Sequence, residues 1–215
     1  MITVEVDQTQ LAEVQDRLAY LKNGANRALA RALNRTASKG KTLASREIRK
    51  QVRLSAADVR ERLQGPANRF DCKATANKLT AKISTPKRGI RLDNFLVSPA
   101  PTRAGRPTTP VRVQVKPAGG AKTIESAWFV RAKTSGGYLI VVDNDVLRRL
   151  GMKEKISGNL SYSSLYGPSL SQVFASVKDD IAGELQTALA ANLQHEMEWL
   201  LNKYPPPADD GSAET

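Results

Sequence analysis

The first residue with chemical potential is the serine of "LYGPSLSQVF", Leu165 to Phe174. A serine after Gly-Pro can be a nucleophile on a tight elbow, part of a phosphate cradle, or the start of a helix. The elbow fails on residue types, because proline precedes the serine and the closing glycine of Gly-x-Ser-x-Gly is missing. A base is equally scarce. The chain has one histidine, His195, and one cysteine, Cys72, far apart in sequence and without zinc-ligand spacing. They can act as nucleophile and base only if folding happens to bring them together. No Walker or Rossmann glycine pattern occurs; "SGG" at 135–137 and "AGGAK" at 118–122 read as turns. The acid pairs Asp143/Asp145 and Asp179/Asp180 are too common a pattern to mark a site. No catalytic residue, metal ligand or cofactor is therefore expected.

What remains for the segment is architecture. Proline is tolerated in the first turn of a helix, where its missing N–H has no partner to lose. Glycine ahead of it permits a sharp turn, and Ser169 or Ser171 can cap the free amides. Leu165 and Tyr166 can pack back on the first turn. Tyr166, Gly167, Pro168 and Ser169 thus read as a helix-start motif that aims a helix for assembly.

Charge supplies the second lead. The net charge of +12 and the pI near 10 call for a polyanionic partner or a charge-driven assembly, with a solvated surface as the plain alternative. Residues 1–22 are net −2, 23–64 net +8, 65–137 net +11, 138–167 net +1 and 168–215 net −6. A basic middle and an acidic end also suit head-to-tail contact between copies. One cysteine makes no internal disulfide, and "MITVEVDQTQ" lacks the pattern of a signal peptide, so a cytoplasm-like setting is expected. No apolar run approaches the ~20 residues of a bilayer span.

The elements that must carry this charge are legible as periodicity. After a strand-like "ITVEV", Leu11, Val14, Leu18 and Leu21 repeat at helical spacing until Asn23-Gly24. A second helix is expected from about Ala25 to Val52. At ~100° per residue, Leu29, Leu33, Thr36, Gly40 and Leu43 share one face, opposite Arg27, Arg31, Arg35, Lys39, Arg46, Arg49 and Arg53. Of these, Arg27, Arg31, Arg35, Arg46, Arg49 and Arg53 are the candidate nucleic-acid contacts. Ser55 is placed to cap "AADVRERL", and Gly65-Pro66 closes a basic helical region spanning 23–64.

Residues 70–142 change to a period of two. Phe70, Cys72, Ala74 and Ala76, then Leu79, Ala81 and Ile83, predict a hairpin turning at Asn77-Lys78. "VRVQV", "AWFVRA" and "YLIVV" predict further strands. The proline-rich Ser98–Pro110 between them predicts an extended arm or loop. From Pro168 to Lys203 apolar residues follow a three-four rhythm that, if unbroken, predicts a helix of ~50 Å. "YPPP" stops it and residues 204–215 read as a disordered Pro-rich, acidic tail. The fold class is α+β: N-terminal helices, a central antiparallel β-sheet with a Pro-rich arm, and a long amphipathic C-terminal helix, in one domain over 1–203.

In order along the chain, "ALARALNRTASKGKTLASREIRKQVRLSAADVRERL", "IRLDNF", "VRVQVKPAGG", "SAWFVR" and "LYGPSLSQVF" resemble the minor tail protein Z family of tailed phages and prophages, the tail-completion proteins. The likeness runs from about Gly24 to Leu201. It implies a virion structural protein, made in the host cytoplasm, that completes the top of a long tail, helps the tail join a filled head and helps place the genome end. The partners it implies are other copies in a ring, with six copies as one symmetry, tail and neck proteins such as the tail terminator or tail tube, and the end of the packaged DNA. No membrane is implied. The alternative is a stand-alone basic nucleic-acid-binding protein. Against that stand the scarcity of aromatics in the basic region, Phe70 and Phe95, and the lack of a recognised DNA-binding motif.

Overall fold

The computed structural model describes residues 1–21, 24–132, 137–149 and 162–206. The chain forms two compact units, each assembled from separated stretches: Met1–Ala44, Leu63–Thr85 and Val177–Thr215 in the first, Ser45–Arg62 and Pro86–Ser176 in the second.

The first unit is mainly helical. β1 (Ile2–Val4) leads into α1 (Gln8–Arg17), then α2 (Gly24–Gln51), whose last turns belong to the second unit. The apolar stripe of α2 is rich in small side chains, and Ala28, Leu29, Ala32, Leu33, Thr36 and Ala37 are all fully buried. Leu43 is only half-buried, while Ala44 and Ile48 continue the stripe. Asn23 lies outside the described residues; Gly24 is the first residue of α2.

α3 (Ala56–Arg62) begins as expected, with the Ser55 hydroxyl accepting from the Asp58 amide at 3.1 Å. The hairpin over 70–83 does not form. Phe70–Cys72 is a 3₁₀ turn, and Phe70 is 82% exposed although the alternation puts it inside. The Asn34 side chain takes both backbone groups of Ala74 at 2.9 Å, so Ala74 has none left for a ladder. A tight turn does occur, one residue earlier than expected: Thr75 and Lys78 exchange backbone bonds around Ala76-Asn77. β2 (Ala81–Ile83) pairs antiparallel with β1 instead, Ile2 opposite Ile83 and Val4 opposite Ala81.

The second unit is built from short antiparallel ladders. β3 (Gly89–Arg91) is followed by a 3₁₀ turn, Leu92–Phe95, that seats the fully buried Phe95. β4 (Leu96–Ser98), β5 (Val111–Val113) and β6 (Lys122–Ile124) form one sheet. β7 (Trp128–Arg131), β8 (Tyr138–Asp143) and β9 (Tyr162–Ser164) form another, with α4 (Asn144–Arg149) after β8. Ile140, Val141 and Val142 are all buried, the apolar run expected of a strand covered on both faces. The Pro-rich stretch is a loop, one of the two forms expected, and it is tied to β7 and β8. Gly105 exchanges backbone bonds with Phe129, Tyr138 donates to the Thr102 carbonyl at 3.1 Å, and Arg106 meets Asp143 at 3.2 Å. Of "SGG", residues 135 and 136 lie outside the described residues. "AGGAK" does turn, with the Gly119 amide bonded to the Lys116 carbonyl.

β10 (Tyr166–Ser169) holds the Gly-Pro-Ser motif and pairs with β3. Pro168 is therefore a strand residue and not the first residue of a helix. α5 (Leu170–Val177) starts two positions later, capped by Ser169. The Ser169 hydroxyl accepts from the Gln172 amide, and the Gln172 side chain accepts from the Ser169 amide, both at 3.2 Å. This reciprocal capping box satisfies two amides that the helix cannot. The expected long helix is interrupted at Lys178–Ile181, and α6 (Ala182–Lys203) resumes after it. Asp179-Asp180, poor inside helices because their side chains compete for backbone amides, occupy the interruption. Val177, Ile181 and Leu185 are all buried across it, so the break keeps the apolar rhythm.

Ser169→Ala removes one half of the capping box. We expect it to cost about 1 kcal/mol in chemical denaturation and to leave virions infectious. A well-folded Ser169→Ala protein with no function would make the hydroxyl chemical after all.

Candidate functional site

Two places hold the residues singled out by sequence. In the first unit, contacts align α2 and α6 antiparallel. Leu185 and Ile83 methyl carbons lie 2.8 and 2.9 Å from where a Cβ on Gly40 would sit. Asn192 then donates to the Thr36 hydroxyl at 2.9 Å. Further along, Glu196 reaches Arg35 at 3.2 Å and Arg31 at 3.6 Å. Glu196 is 4% exposed, so its charge is tolerable only because two guanidinium groups face it. Arg31 also lies over the Trp199 ring, 4.7 Å from its centroid, and Lys203 lies 4.8 Å from the same ring. The cationic stripe of α2 is thus partly neutralised by the chain's own carboxylate. Glu196 had no signal in the sequence beyond its helical position next to His195, which is exposed.

The structure divides the six candidate arginines. Arg27, Arg31 and Arg35 belong to the first unit, Arg46, Arg49 and Arg53 to the second, and all six are exposed. Arg53 lies beyond the end of α2, with its backbone amide bonded to the Val115 carbonyl.

The division by charge is sharper. The first unit contains thirteen basic and thirteen acidic residues and is neutral; the second contains twenty basic and eight acidic and carries the whole +12. Within it, Tyr166 and Gly167 of β10 cross β3 closely. A Cβ on Gly89 would come within 2.9 Å of the Gly167 carbonyl, and one on Gly167 within 3.0 Å of the Phe95 ring. Both positions demand glycine for the approach, which is the physical use of the Gly-Pro-Ser motif. Beside this crossing lies a concavity of about 330 Å³ lined by Arg62, Arg88, Arg91, Tyr166, Ile90 and Leu170. Arg88 donates to the Tyr166 hydroxyl at 2.8 Å, Arg62 to the Asn94 side chain at 3.2 Å, and Arg91 pairs with Asp93 at 3.3 Å. Burial pushes the Asp93 carboxyl above the usual range, and Arg91 and Arg62 only partly offset it. By linkage, its protonation in the fold is favourable, and that contribution fades as pH rises through the raised value.

A second concavity of the same unit, about 700 Å³, is lined mainly by Leu92, Val113, Ile124, Val142, Val146 and Leu165, with Lys122, Glu125 and Arg149 among its charged members. Among the described residues its lining has no imidazole and no pair of carboxylates to exchange protons. Among the described residues no group of three or more His, Cys, Asp or Glu could hold a metal ion. Nor is any helix there long and apolar enough to cross a membrane.

No curated protein and no solved structure matches the chain. The family model for the prophage minor tail protein Z does match, over residues 11–204, so that it spans both units. The chain belongs to the prophage minor tail protein Z family, and its role is that of a structural protein of a phage tail.

Proposed function

We propose that this tail protein completes the top of the tail at the head–tail junction, as a ring of copies against neighbouring tail and neck proteins, and helps place the genome end. The observation that carries the reading is the charge partition: one unit is helical and neutral, and the other holds all of the +12. A polyanion held at one end of an assembly needs a cationic surface, while the protein contacts need a surface that does not repel its own copies. The structure offers a built architecture of caps, glycine crossings and a paired buried carboxylate, and the chain acts through contact, not catalysis.

The test is a phage in which this gene carries an early stop codon. Tails of normal length should form, but few should join filled heads, and the DNA end should be missing from the tail top in those that do. Infectious particles with normally placed DNA in the absence of the protein would refute the reading. Shortened or absent tails would move its role to an earlier step of tail assembly.

A further inference from the structure

We infer that the Arg62–Arg88–Arg91 concavity of the second unit is an oxyanion site that takes a backbone phosphate of duplex DNA. The inference rests on the proposal that the chain meets the genome end, and it names the residues that do so. The site draws its side chains from four elements: Arg62 from α3, Arg91 from β3, Tyr166 from β10 and Leu170 from the start of α5, with Arg88 just ahead of β3. Three arginines line one concavity, and among the described residues no acidic residue lines it. Each is held by a neighbour, Arg88 by the Tyr166 hydroxyl and ring, Arg62 by Asn94, and Arg91 by Asp93. Those contacts use one or two of the five N–H donors on a guanidinium, and the rest remain for a ligand. Planar forks of this kind match the oxygens of a phosphate, and fixing the forks beforehand reduces the entropy lost on binding.

Two observations favour DNA over an acidic protein segment. The surrounding unit carries the entire net charge, and Arg103, Arg112, Lys116 and Lys122 of that unit are all exposed. A polyanion anchored in the concavity therefore finds further cations on the same unit. Asp93 also fits: a half-buried carboxylate beside the site orients Arg91 through their ion pair.

The experiment uses the purified full chain and a labelled mixed-sequence duplex of about 20 bp, titrated between about 50 and 200 mM salt. Arg88→Gln is the main variant because Arg88 is exposed and makes no ion pair among the described residues, so its loss should leave the melting temperature unchanged. We expect duplex binding to weaken roughly 3- to 10-fold and the salt slope to fall by about 1. Arg91→Gln should do the same, and Arg17→Gln, at an exposed position of the other unit, should do neither. A folded Arg88→Gln protein with wild-type affinity and slope overturns the site, as does a wild-type chain that does not bind the duplex. So does loss of binding to a poly-glutamate probe with duplex binding intact. A wild-type chain that does not bind duplex also removes genome-end contact from the proposed function, whereas the variant results leave that reading standing, and incorporation of the chain into virions tests it separately.

Discussion

Leu185→Asp is expected to abolish the cooperative melting of the helical unit. Leu185 is 6% exposed, and its methyl groups fill the space above Gly40. Removing them loses about 2–5 kcal/mol of packing, and the carboxylate adds a desolvation cost. The sum, ~5 kcal/mol or more, is comparable to the whole stability of a typical domain. Circular dichroism should show a low, broad transition, and the variant should be missing from tails. Leu185→Met conserves volume and should cost less than about 1.5 kcal/mol. A Leu185→Asp protein that melts normally would mean that this stripe of α6 is not packed.

The second large effect concerns Arg31 and Arg35. Changing both to Glu places three carboxylates where one buried carboxylate now meets two guanidinium groups. Breaking a buried pair costs about 3–5 kcal/mol, and the half-exposure of both arginines reduces that to ~2–4 kcal/mol. The double variant should melt early even in the absence of DNA or a second copy. Adding Glu196→Arg should restore most of the loss, because it reverses the pair instead of breaking it. Two outside anions are the alternative for a cationic helix: DNA phosphate, slightly ahead, or carboxylates such as Asp179 and Asp180 of a neighbouring copy. Each leaves the isolated protein stable on reversal. A double variant with wild-type melting but impaired assembly or DNA placement would therefore return these arginines to an outside partner.

These two cases show where the sequence was legible. The helical period located α2 and its two faces because burial and charge segregate cleanly over many turns. A capping residue marked the start of α3 at Ser55, and Ser169 was one of two caps offered for α5, since a hydroxyl three residues ahead of the amide it accepts from is a local arrangement. What failed depended on distant partners. The alternation of 70–83 predicted a hairpin, but Asn34 claimed Ala74 and the N-terminal strand claimed β2. The interruption at Lys178–Ile181 left no trace in the apolar rhythm, because Val177, Ile181 and Leu185 are buried on either side of it. Charge counting found the basic middle of the chain. It fixed on the conspicuous stripe of α2, while Arg62, Arg88 and Arg91 share a concavity only through the crossing of β3 and β10. Glu196 looked like any surface acid until α6 lay against α2.

The measurement that tests the central claim most directly is electron microscopy of intact virions, with the chain traced into the density. The account predicts a ring of copies at the head-proximal end of the tail, with the Pro86–Ser176 portion of each copy facing the DNA and density for a phosphate at Arg88. A chain found at the distal tip, absent from the virion, or turned so that this portion faces away from the DNA would contradict it.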